Sequence, residues 1–411
     1  MNYHGDAIAG EAGTRMSTSG RRTVRDLRRG NRAMLLRALY FGGPATRNDL
    51  SAATGLSPAT VSTMTGDLLS ENVVVEAGQV DSDGGRPRVV LRVNPAYGYA
   101  VGVDVGETQV SVELFDLEMT KLARAHYAVR SARHDPELVA RHILAGVDTV
   151  IAESEVPAER VLGVGVGVPG IVEPGPDALV RAKTFGWEAV PLGALLRAGT
   201  SLSLFVDNGA KTMGQAELWF GSGRGTRDAI IVLMGSGVGG TVVTDGQIYR
   251  GAGKAAGEVG HLKLVAGGRA CRCGARGCLE AYLGAEAILD RGGVVADSAD
   301  EEAALARLLD EGSPVIAESV ELLGVGLSSL VHLFNPERIV IGGWAGLMLG
   351  GRMLAEIRAA TAANTQAQPF QPETVVLGRL GPDAVALGAA TLVLEPFFQG
   401  AAFRGTVSTP A

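Results

Sequence analysis

The feature that most constrains the fold of this chain is a compact set of one histidine and three cysteines. His261, Cys271, Cys273 and Cys278 lie within 18 residues, and the 411-residue chain contains no other cysteine. One imidazole and three thiols at this spacing can close a tetrahedral zinc site and so fix the loop between them. The pattern therefore predicts one structural Zn²⁺ ion per chain.

Two other uses of the cysteines fit less well. A disulfide between two of them would leave the third thiol unpaired, and disulfides are unfavourable in a reducing cytoplasm. A catalytic zinc ion needs an open coordination position, whereas four protein ligands close the tetrahedron. The sequence favours a structural ion, which we expect to hold the loop so that the flanking Glu258 and Glu280 point into a pocket.

Apolar runs that end in glycine-containing turns recur after residue 95 and indicate an α/β body. Three of them are Tyr99–Val105 before Gly106, Val161–Val168 before Pro169-Gly170, and Ile230–Met234 before Gly235. Glycine turns let backbone amides approach an anion closely. Such turns also occur in many sheets, so the pattern by itself assigns no ligand.

Length and composition narrow the class of protein. A chain of 411 residues is too long for one ordinary domain, and we expect two or three units. Hydrophobic residues make up 46% and charged residues 20%, which excludes a disordered chain. The uncharged apolar stretch 229–244 is shorter than the ~20 residues of a membrane-spanning helix, and the N-terminus has no apolar secretory segment. We expect a soluble cytoplasmic protein without membrane insertion.

Charge is distributed unevenly along the chain. Residues 1–95 contain 12 arginines, no lysine and nine acidic residues, a net charge of +3, whereas residues 96–411 carry −10. A basic N-terminal segment on an acidic body suggests that the segment binds nucleic acid. A solvated arginine-rich tail would give the same charge, so the residue pattern has to decide.

The N-terminal pattern predicts a helix-turn-helix. An apolar stripe from Asn31 predicts a helix that ends at Gly42. A short helix follows, with Thr46 as its cap and Gly55 as its stop, and Ser57 caps a third helix whose first residue is proline. Two helices joined by a short glycine-containing turn make up the helix-turn-helix unit.

The third helix is the predicted recognition helix. In such a unit the N-terminal part of this helix enters the major groove of DNA. Its small side chains suit short hydrogen bonds or contacts with thymine methyl groups, whereas Val61, Met64 and Leu68 face inward at helical spacing. The predicted DNA contacts here are Arg47, Ser57, Pro58, Ala59, Thr60, Ser62 and Thr63.

A wing is predicted after the recognition helix. Two strands, 73–76 and 89–93, flank a Gly-Gly turn that carries Arg86 and Arg88. These arginines can reach phosphates or the minor groove. The alternative is a winged helix that binds protein, but the supply of arginine favours DNA.

Taken together, these motifs resemble the ROK family, named for repressors, open reading frames and kinases. The resemblance rests on Thr54–Ser62 and Gly84–Pro87 in the DNA-binding segment, on Tyr249–Gly251, Gly257–His261 and Cys271–Glu280, and on the late Asn335–Gly343. It implies a winged helix-turn-helix followed by a two-lobed actin/hexokinase-like α/β body. The expected organisation is a flexible tail at 1–22, the winged helix-turn-helix at 23–95, a first lobe at 96–208 with the C-terminal helix 382–396, a second lobe with the zinc site at 209–381, and a flexible tail at 397–411.

The resemblance also implies a sugar site. Carried over position by position, the sugar contacts are Asn208, Glu258, His261 and Glu280, with His261 serving sugar and zinc together. Carboxylates and amides suit sugars because they bind neighbouring hydroxyls in pairs. The alternative for Glu258 and Glu280 is helix capping or support of the zinc ligands.

Three departures from the kinase pattern indicate lost catalysis. The kinases carry Glu-Asn-Asp-Ala-Asn after the third strand, and the aspartate is the general base. Here the segment is 207–211, Asp-Asn-Gly-Ala-Lys, and Gly209 cannot accept a proton; Asp207 would have to reach from two positions earlier. Glu107 in the phosphate turn would repel a triphosphate, and Thr184 stands where the family has an asparagine that contacts the sugar.

The resemblance therefore implies a sugar-responsive transcription regulator, a repressor, with no catalytic residue. We expect it to bind operator DNA as a homodimer or homotetramer and to take a sugar or sugar derivative as effector. Two alternatives remain at this stage: an ATP-dependent sugar kinase that also binds DNA, and a regulator controlled by a protein partner with a vestigial sugar cleft.

Overall fold

A computed structural model of the chain describes residues 23–82, 85–129, 134–295, 300–366, 370–400 and 407–408. The predicted tail 1–22 lies outside the described residues, as do Asp83 and Gly84 at the tip of the predicted wing and the side chain of Arg86.

The N-terminal domain consists of three helices and a small sheet. Its elements are α1 (Val24–Gly42), β1 (Ala45–Thr46), α2 (Arg47–Thr54), α3 (Pro58–Ser70), β2 (Val74–Ser82) and β3 (Gly85–Val93). The sheet has the order β1-β3-β2, and β2 pairs with β3 as the antiparallel wing. The predicted winged helix-turn-helix is the observed architecture.

Local capping explains where these helices begin. Thr23 and Asp26 form a capping box, so α1 begins at Val24, seven residues earlier than the apolar stripe from Asn31 predicted. Thr46 and Asp49 form a second capping box, and the Ser57 side chain accepts a hydrogen bond from the Thr60 amide. The caps at 46 and 57 confirm the prediction.

The core of the domain contains the residues expected to face inward. Val61, Met64 and Leu68 of α3 are buried against Leu35 and Leu39 of α1. Because this face of α3 is used for packing, its other face is left toward solvent. The recognition helix is therefore held from behind.

The first lobe begins at Tyr99. Its elements as far as residue 208 are β4 (Tyr99–Val105), β5 (Gln109–Phe115), β6 (Lys121–Ala128), α4 (Pro136–Glu153), β7 (Val161–Val168), β8 (Ile171–Val172), β9 (Leu179–Ala182), β10 (Trp187–Pro191), α5 (Leu192–Arg197) and β11 (Leu204–Asn208). The main sheet has the order β11-β7-β4-β5-β6, with β4 parallel to β7 and β7 parallel to β11. Strands β8 to β10 form a separate small sheet.

The second lobe follows directly. Its elements are α6 (Gly209–Trp219), β12 (Ala229–Met234), β13 (Val238–Thr244), β14 (Gln247–Ile248), α7 (Glu280–Leu283), α8 (Ala285–Arg291), α9 (Glu301–Asp310), α10 (Pro314–Phe334), β15 (Arg338–Gly342), α11 (Trp344–Ala363) and β16 (Val375–Leu377). The sheet has the order β14-β13-β12-β15-β16. Helix α10 is long and apolar enough to cross a membrane, yet 61% of its most apolar 18-residue window is buried, as in the core helix of a folded domain.

The chain then returns to the first lobe. Helix α12 (Ala384–Phe398) packs on β4 and β7, and β17 (Val407–Ser408) pairs with β11. The approach depends on glycine, because a Cβ atom at Gly102 would lie 1.9 Å from the Ala386 carbonyl oxygen and one at Gly165 would lie 1.8 Å from that of Ala389. The alternating glycines of the strands therefore admit this helix to the sheet.

The predicted boundary between the C-terminal helix and the tail, at residue 396, lies two residues before the observed end of the helix. Part of the predicted tail, Val407–Ser408, forms a strand. Helix α12 continues to Phe398, and Phe397 and Phe398 are buried at 5% and 0% exposure. Their aromatic side chains belong to the core that joins the winged helix to the body, so they are not part of a tail. Residues 401–406 and 409–411 of the predicted tail lie outside the described residues.

Helix α1 seats the winged helix on the body. Tyr40 and Phe41 make edge-to-face contacts with Phe398 and Trp219, respectively. Arg37 pairs with Glu395 at 2.5 Å, and its guanidinium lies 5.0 Å from the centre of the Phe398 ring. This aromatic seat joins α1 to α12 and to the C-terminal end of α6.

Candidate functional site

The four predicted metal ligands converge. The Nδ1 or Nε2 atom of His261 and the Sγ atoms of Cys271, Cys273 and Cys278 all lie within 4.8 Å of one another. Cys273 Sγ is 3.8 Å from Cys278 Sγ, and Cys271 Sγ is 3.8 Å from His261 Nδ1. Ligands bound to one zinc ion at ~2.3 Å with tetrahedral angles are separated by roughly 3.8 Å. The donor set and its spacing fit a closed four-ligand metal site.

Charge beside the cluster favours the same conclusion. Lys263 Nζ lies 2.7 Å from Cys278 Sγ. A divalent cation with three thiolates and a neutral imidazole carries one net negative charge, which a neighbouring ammonium compensates. Lys263 was not singled out from the sequence, because nothing in its local pattern marks it as a partner of the cysteines.

Glu280 contacts the metal loop, which is the segment 261–278 that carries the four predicted ligands, and the glycine turn at 235–240. Its Oε2 accepts a hydrogen bond from the Val238 amide at 3.1 Å, and its Oε1 lies 3.6 Å from Cys271 Sγ. Arg272 Nε is 3.8 Å from the same carboxylate. Glu280 therefore supports the metal loop, the alternative that the sequence left open, while its predicted sugar contact stays a prediction.

Glu258 has fewer partners and is the more open carboxylate. Its Oε2 lies 4.0 Å from His261 Nε2. Burial raises the pKa of the Glu258 carboxyl, and the neighbouring Lys211 and His261 oppose that effect. Because Nδ1 of His261 faces Cys271 and Nε2 faces Glu258, the two ring nitrogens point to the metal cluster and to the cleft, respectively.

Asn208 and Asp207 lie at the junction of β11 and α6. The Asn208 side chain caps α6 by accepting from the Lys211 amide at 3.1 Å, and its Nδ2 donates to the Gly170 carbonyl at 2.7 Å. Asp207 Oδ2 is paired with Arg250 at 2.7 Å, with both side chains nearly buried. The pair engages the carboxylate that lies two positions before Gly209. The sequence marked Tyr249–Gly251 as a motif but did not reveal a role for Arg250.

Gly209 has no backbone reason to be glycine. It lies in the first turn of α6, its φ is not positive, and a Cβ atom there would meet nothing closer than 3.7 Å. The backbone and its neighbours would therefore accept a Cβ atom at this position. Glycine here removes a proton acceptor from the cleft.

Glu107 of the first lobe pairs with Arg272 of the metal loop. Two Arg272 nitrogens bind the two carboxylate oxygens, at 2.5 and 3.1 Å, and the pair spans the cleft between the lobes. Lys183 Nζ makes a second crossing by donating to the Cys273 carbonyl at 3.1 Å. The sequence marked Glu107 as unfavourable for a triphosphate but did not reveal its partner, which lies 165 residues away.

The segment around Thr184 is ordered by aromatic packing. Phe185 stacks on His134 with ring centres 3.7 Å apart, and Trp187 Nε1 donates to the His134 carbonyl at 2.6 Å. His134 Nε2 in turn contacts the Glu107 carbonyl oxygen at 2.7 Å. Thr184 thus lies on a turn that is packed against the same loop as the interlobe pair.

A cavity of about 480 Å³ adjoins the Gly106–Thr108 turn. Asp104 and Asp383 line it together with Glu301, Glu302, Arg124 and His126, so carboxylates outnumber cationic side chains. Burial raises the pKa of Asp104 to about 7, and Glu113 and Asp383 add to this through charge repulsion. A wall of this composition disfavours the phosphates of a nucleotide.

Most of the predicted DNA-contact residues lie on the open face of the winged helix. Ser57, Pro58, Ala59, Ser62, Thr63 and Arg88 are exposed, and Thr60 is half-buried. Arg47 is half-buried and donates from Nε to the Thr65 hydroxyl at 2.9 Å, so part of its function is to join α2 to α3. Arg86 falls in β3, but its side chain is outside the described part of the chain.

Comparison with known proteins decides the family. The ROK family matches residues 100–396, which is most of the chain. The chain belongs to the ROK family. It is 29% identical over 382 residues to the xylose repressor of Caldicellulosiruptor bescii, a match that covers 89% of this chain and 95% of the repressor.

Two further relatives differ in how much of this chain they cover. A crystal structure described as a ROK family transcriptional regulator, homologous to the E. coli MLC protein, superimposes with a TM-score of 0.74 over 91% of this chain and 97% of its own, at 23% identity. The glucokinase of Halalkalibacterium halodurans is 28% identical over 72% of this chain and 94% of its own length. The regulator shares the fold of nearly the whole chain, whereas the kinase match leaves more than a quarter of it uncovered.

Proposed function

We propose that this protein is a DNA-binding transcriptional repressor of carbohydrate metabolism, with a sugar-kinase-like body that binds a sugar effector and performs no catalysis. One observation carries the proposal: a single helix, α6, is capped by the predicted sugar contact Asn208 and ends at Trp219 in the aromatic seat of the winged helix. Its 11 residues span about 16 Å. A shift at the ligand end is therefore transmitted to α1 through a rigid element.

We propose a lack of catalysis because the cleft has no free proton acceptor at the position of the kinase base. Gly209 offers no acceptor, and Asp207 is held by Arg250. The interlobe pair of Glu107 and Arg272 lies at the turn that would receive the nucleotide. These features favour a regulator over a kinase, even though kinases occur in the same family.

We propose that the angle between the two lobes controls DNA binding. A ligand that prefers one angle between the lobes shifts the population toward it, and in a dimer this alters the spacing of the paired recognition helices. We propose a homodimer or homotetramer in the cytoplasm. A structural zinc ion bound by His261 and the three cysteines supplies tetrahedral cross-linking of the loop that carries Arg272.

Binding to the DNA upstream of the protein's own gene tests the proposal. We expect a complex whose affinity falls steeply with salt and changes when the matching sugar is added. The Arg86→Ala/Arg88→Ala variant should bind at least tenfold more weakly, with a salt slope that is smaller by about 2. The control is Arg227→Ala/Arg352→Ala, which removes the same charge from the body at exposed sites.

Two results would contradict the proposal. Equal affinity and salt slope for the wing variant and its control would remove the wing from the DNA contact. The second result is ADP release, measured in a coupled assay, that requires sugar and that Asp207→Ala abolishes. That result would establish a kinase.

A further inference from the structure

The cavity beside the Gly106–Thr108 turn combines room for a small molecule with carboxylates from both sides of the cleft. Its volume of about 480 Å³ lies within the range of ligand pockets. Asp104 of β4 and Asp383, just before α12, line one side, and Glu301 and Glu302 of α9 line the other. None of the predicted sugar or metal contacts lines this cavity, so it is a separate place for a ligand.

Three side chains in one cross-strand row line the first-lobe side. Asp104 is opposite Ser111 of β5, and Ser111 is opposite His126 of β6, so the three lie side by side on one face of the sheet. Ser111 is only 5% exposed, and within the described residues its hydroxyl has no hydrogen-bond partner. Buried hydroxyl groups usually have one. Because Ser111 lines the cavity, a ligand there can supply the missing hydrogen bond.

The cationic side chains of this wall do not balance its carboxylates. Arg124 is paired with Asp383 at 3.0 Å. Burial and the neighbouring Arg124 lower the pKa of His126, so this imidazole is mostly neutral at pH 7. Asp104 has neither a hydrogen bond nor an ion pair within the described part of the chain. Burial, followed by repulsion from Glu113 and Asp383, raises its pKa to about 7, as expected for a carboxyl without a cation beside it.

The second-lobe side adds carboxylates that face the first lobe. Burial raises the pKa of Glu301, and the charges of Glu107 and Glu286 add to this effect. Arg272 opposes it but is itself bound to Glu107 and Glu286. Glu302 is exposed and has no ion pair among the residues that the structure describes. Negative charge therefore meets negative charge across the cavity.

We propose that this cavity binds a small organic cation, a protonated amine or polyamine, whose ammonium groups lie between Asp104 and the carboxylates of α9. The Ser111 hydroxyl would accept a hydrogen bond from an ammonium group, and the Trp344 ring in the wall offers an aromatic face for the cation or its alkyl chain. A metal ion fits less well. Among the described histidine, cysteine, aspartate and glutamate side chains, the Cys/His cluster is the one group of three or more that could hold such an ion.

Calorimetry on the full chain tests the proposal with ligands of matched length. Putrescine, butanediol and succinate share a four-carbon chain and carry two positive charges, no charge and two negative charges, respectively. We expect putrescine or the longer spermidine to bind at least tenfold more tightly than butanediol, because only the amines offset the carboxylates of the wall. Succinate should not bind.

Substitutions in the wall locate the site. Asp104→Asn keeps the size of the side chain and removes its charge, and it should lower the affinity for putrescine at least tenfold. Ser111→Ala removes the unpartnered hydroxyl and should lower that affinity about threefold. If Asp104→Asn does not fold, Glu302→Gln at an exposed position provides an independent test with an expected loss of about threefold.

A matched control separates the cavity from general attraction. The chain carries a net charge of −7, which attracts polyamines without a specific site. Glu356→Gln removes an exposed carboxylate of α11 that does not line the cavity, so it should leave the affinity for putrescine unchanged. Equal losses in Glu356→Gln and in the wall variants would show non-specific attraction and contradict the proposal.

Two further outcomes would overturn it. Butanediol that binds as tightly as putrescine would remove charge from the recognition. Binding of Mg²⁺ or ADP that Asp104→Asn abolishes and that putrescine does not displace would make the cavity a metal or nucleotide site. The proposed sugar-responsive repressor stands under each of these results, because its sugar and DNA contacts are other residues.

Discussion

Arg272 pairs with carboxylates of both lobes. It lies between two predicted metal ligands, pairs with Glu107 of the first lobe, and is 3.0 Å from Glu286 of α8 in its own lobe. An internal ion pair connects the two lobes across the cleft. The carboxylate that excludes phosphate thus also holds the lobes together.

Replacing Glu107 should loosen this connection. Glu107→Gln keeps the size of the side chain and removes its charge, and with a partly buried pair the loss is about 1 kcal/mol. We expect amide hydrogens of residues 269–280 to exchange about fivefold faster, as measured by mass spectrometry.

Glu286→Gln is the matched control for this prediction. It removes another carboxylate from Arg272 but leaves the contact between the lobes intact. Equal effects of the two substitutions on residues 269–280 would show that the pair with Glu107 has no special part in joining the lobes.

At the scale of elements, α1 serves two domains. Leu35 and Leu39 belong to the core of the winged helix, while Arg37 and Phe41 contact Glu395 and Trp219 of the body. Arg224 adds a hydrogen bond to the Phe41 carbonyl at 2.8 Å. Because one helix forms both sets of contacts, movement of its seat moves the recognition helix.

Breaking the seat should free the winged helix without unfolding it. Arg37→Gln/Phe41→Ala removes the ion pair and an edge-to-face contact, each a cross-domain interaction worth about 1 kcal/mol. We expect a larger radius of gyration in small-angle X-ray scattering and unchanged helical circular dichroism. Arg28→Gln, which breaks an ion pair with Asp67 inside the winged helix, should leave the radius unchanged. An unchanged radius in both variants would mean that other contacts hold the domain.

At the scale of the whole molecule, the metal loop contacts the first lobe and adjoins the predicted sugar site. It carries Arg272 toward the first lobe, and its neighbours Glu258 and Glu280 toward the predicted sugar site. Among the described residues, the winged helix is seated on the body at Trp219, at the other end of α6 from the predicted sugar contact Asn208. Metal loss should therefore affect ligand response before it affects DNA binding.

Chelation tests that order. Elemental analysis should find about one zinc ion per chain. Its removal should abolish the effect of sugar on operator affinity while changing basal affinity less than threefold, as measured by fluorescence anisotropy. Added Zn²⁺ should restore the response, and added Mg²⁺, which prefers octahedral oxygen ligands, should not. If chelation lowered basal operator affinity as much as it lowered the response to sugar, the metal would be needed to hold the winged helix in its DNA-binding position.

The sequence by itself determined what depends on local chemistry. Caps such as Thr46 and Ser57 satisfy amides within three residues, and the Cys/His spacing limits the geometry of the loop, so the helix-turn-helix and the convergence of His261 with the three cysteines could be predicted. Tertiary structure alone decided the pairs of Glu107 with Arg272 and of Asp207 with Arg250, and the burial of Phe398. The partners in these two ion pairs are separated by 165 and 43 residues along the chain, and only the packed lobes bring their charges together and shield them partly from water.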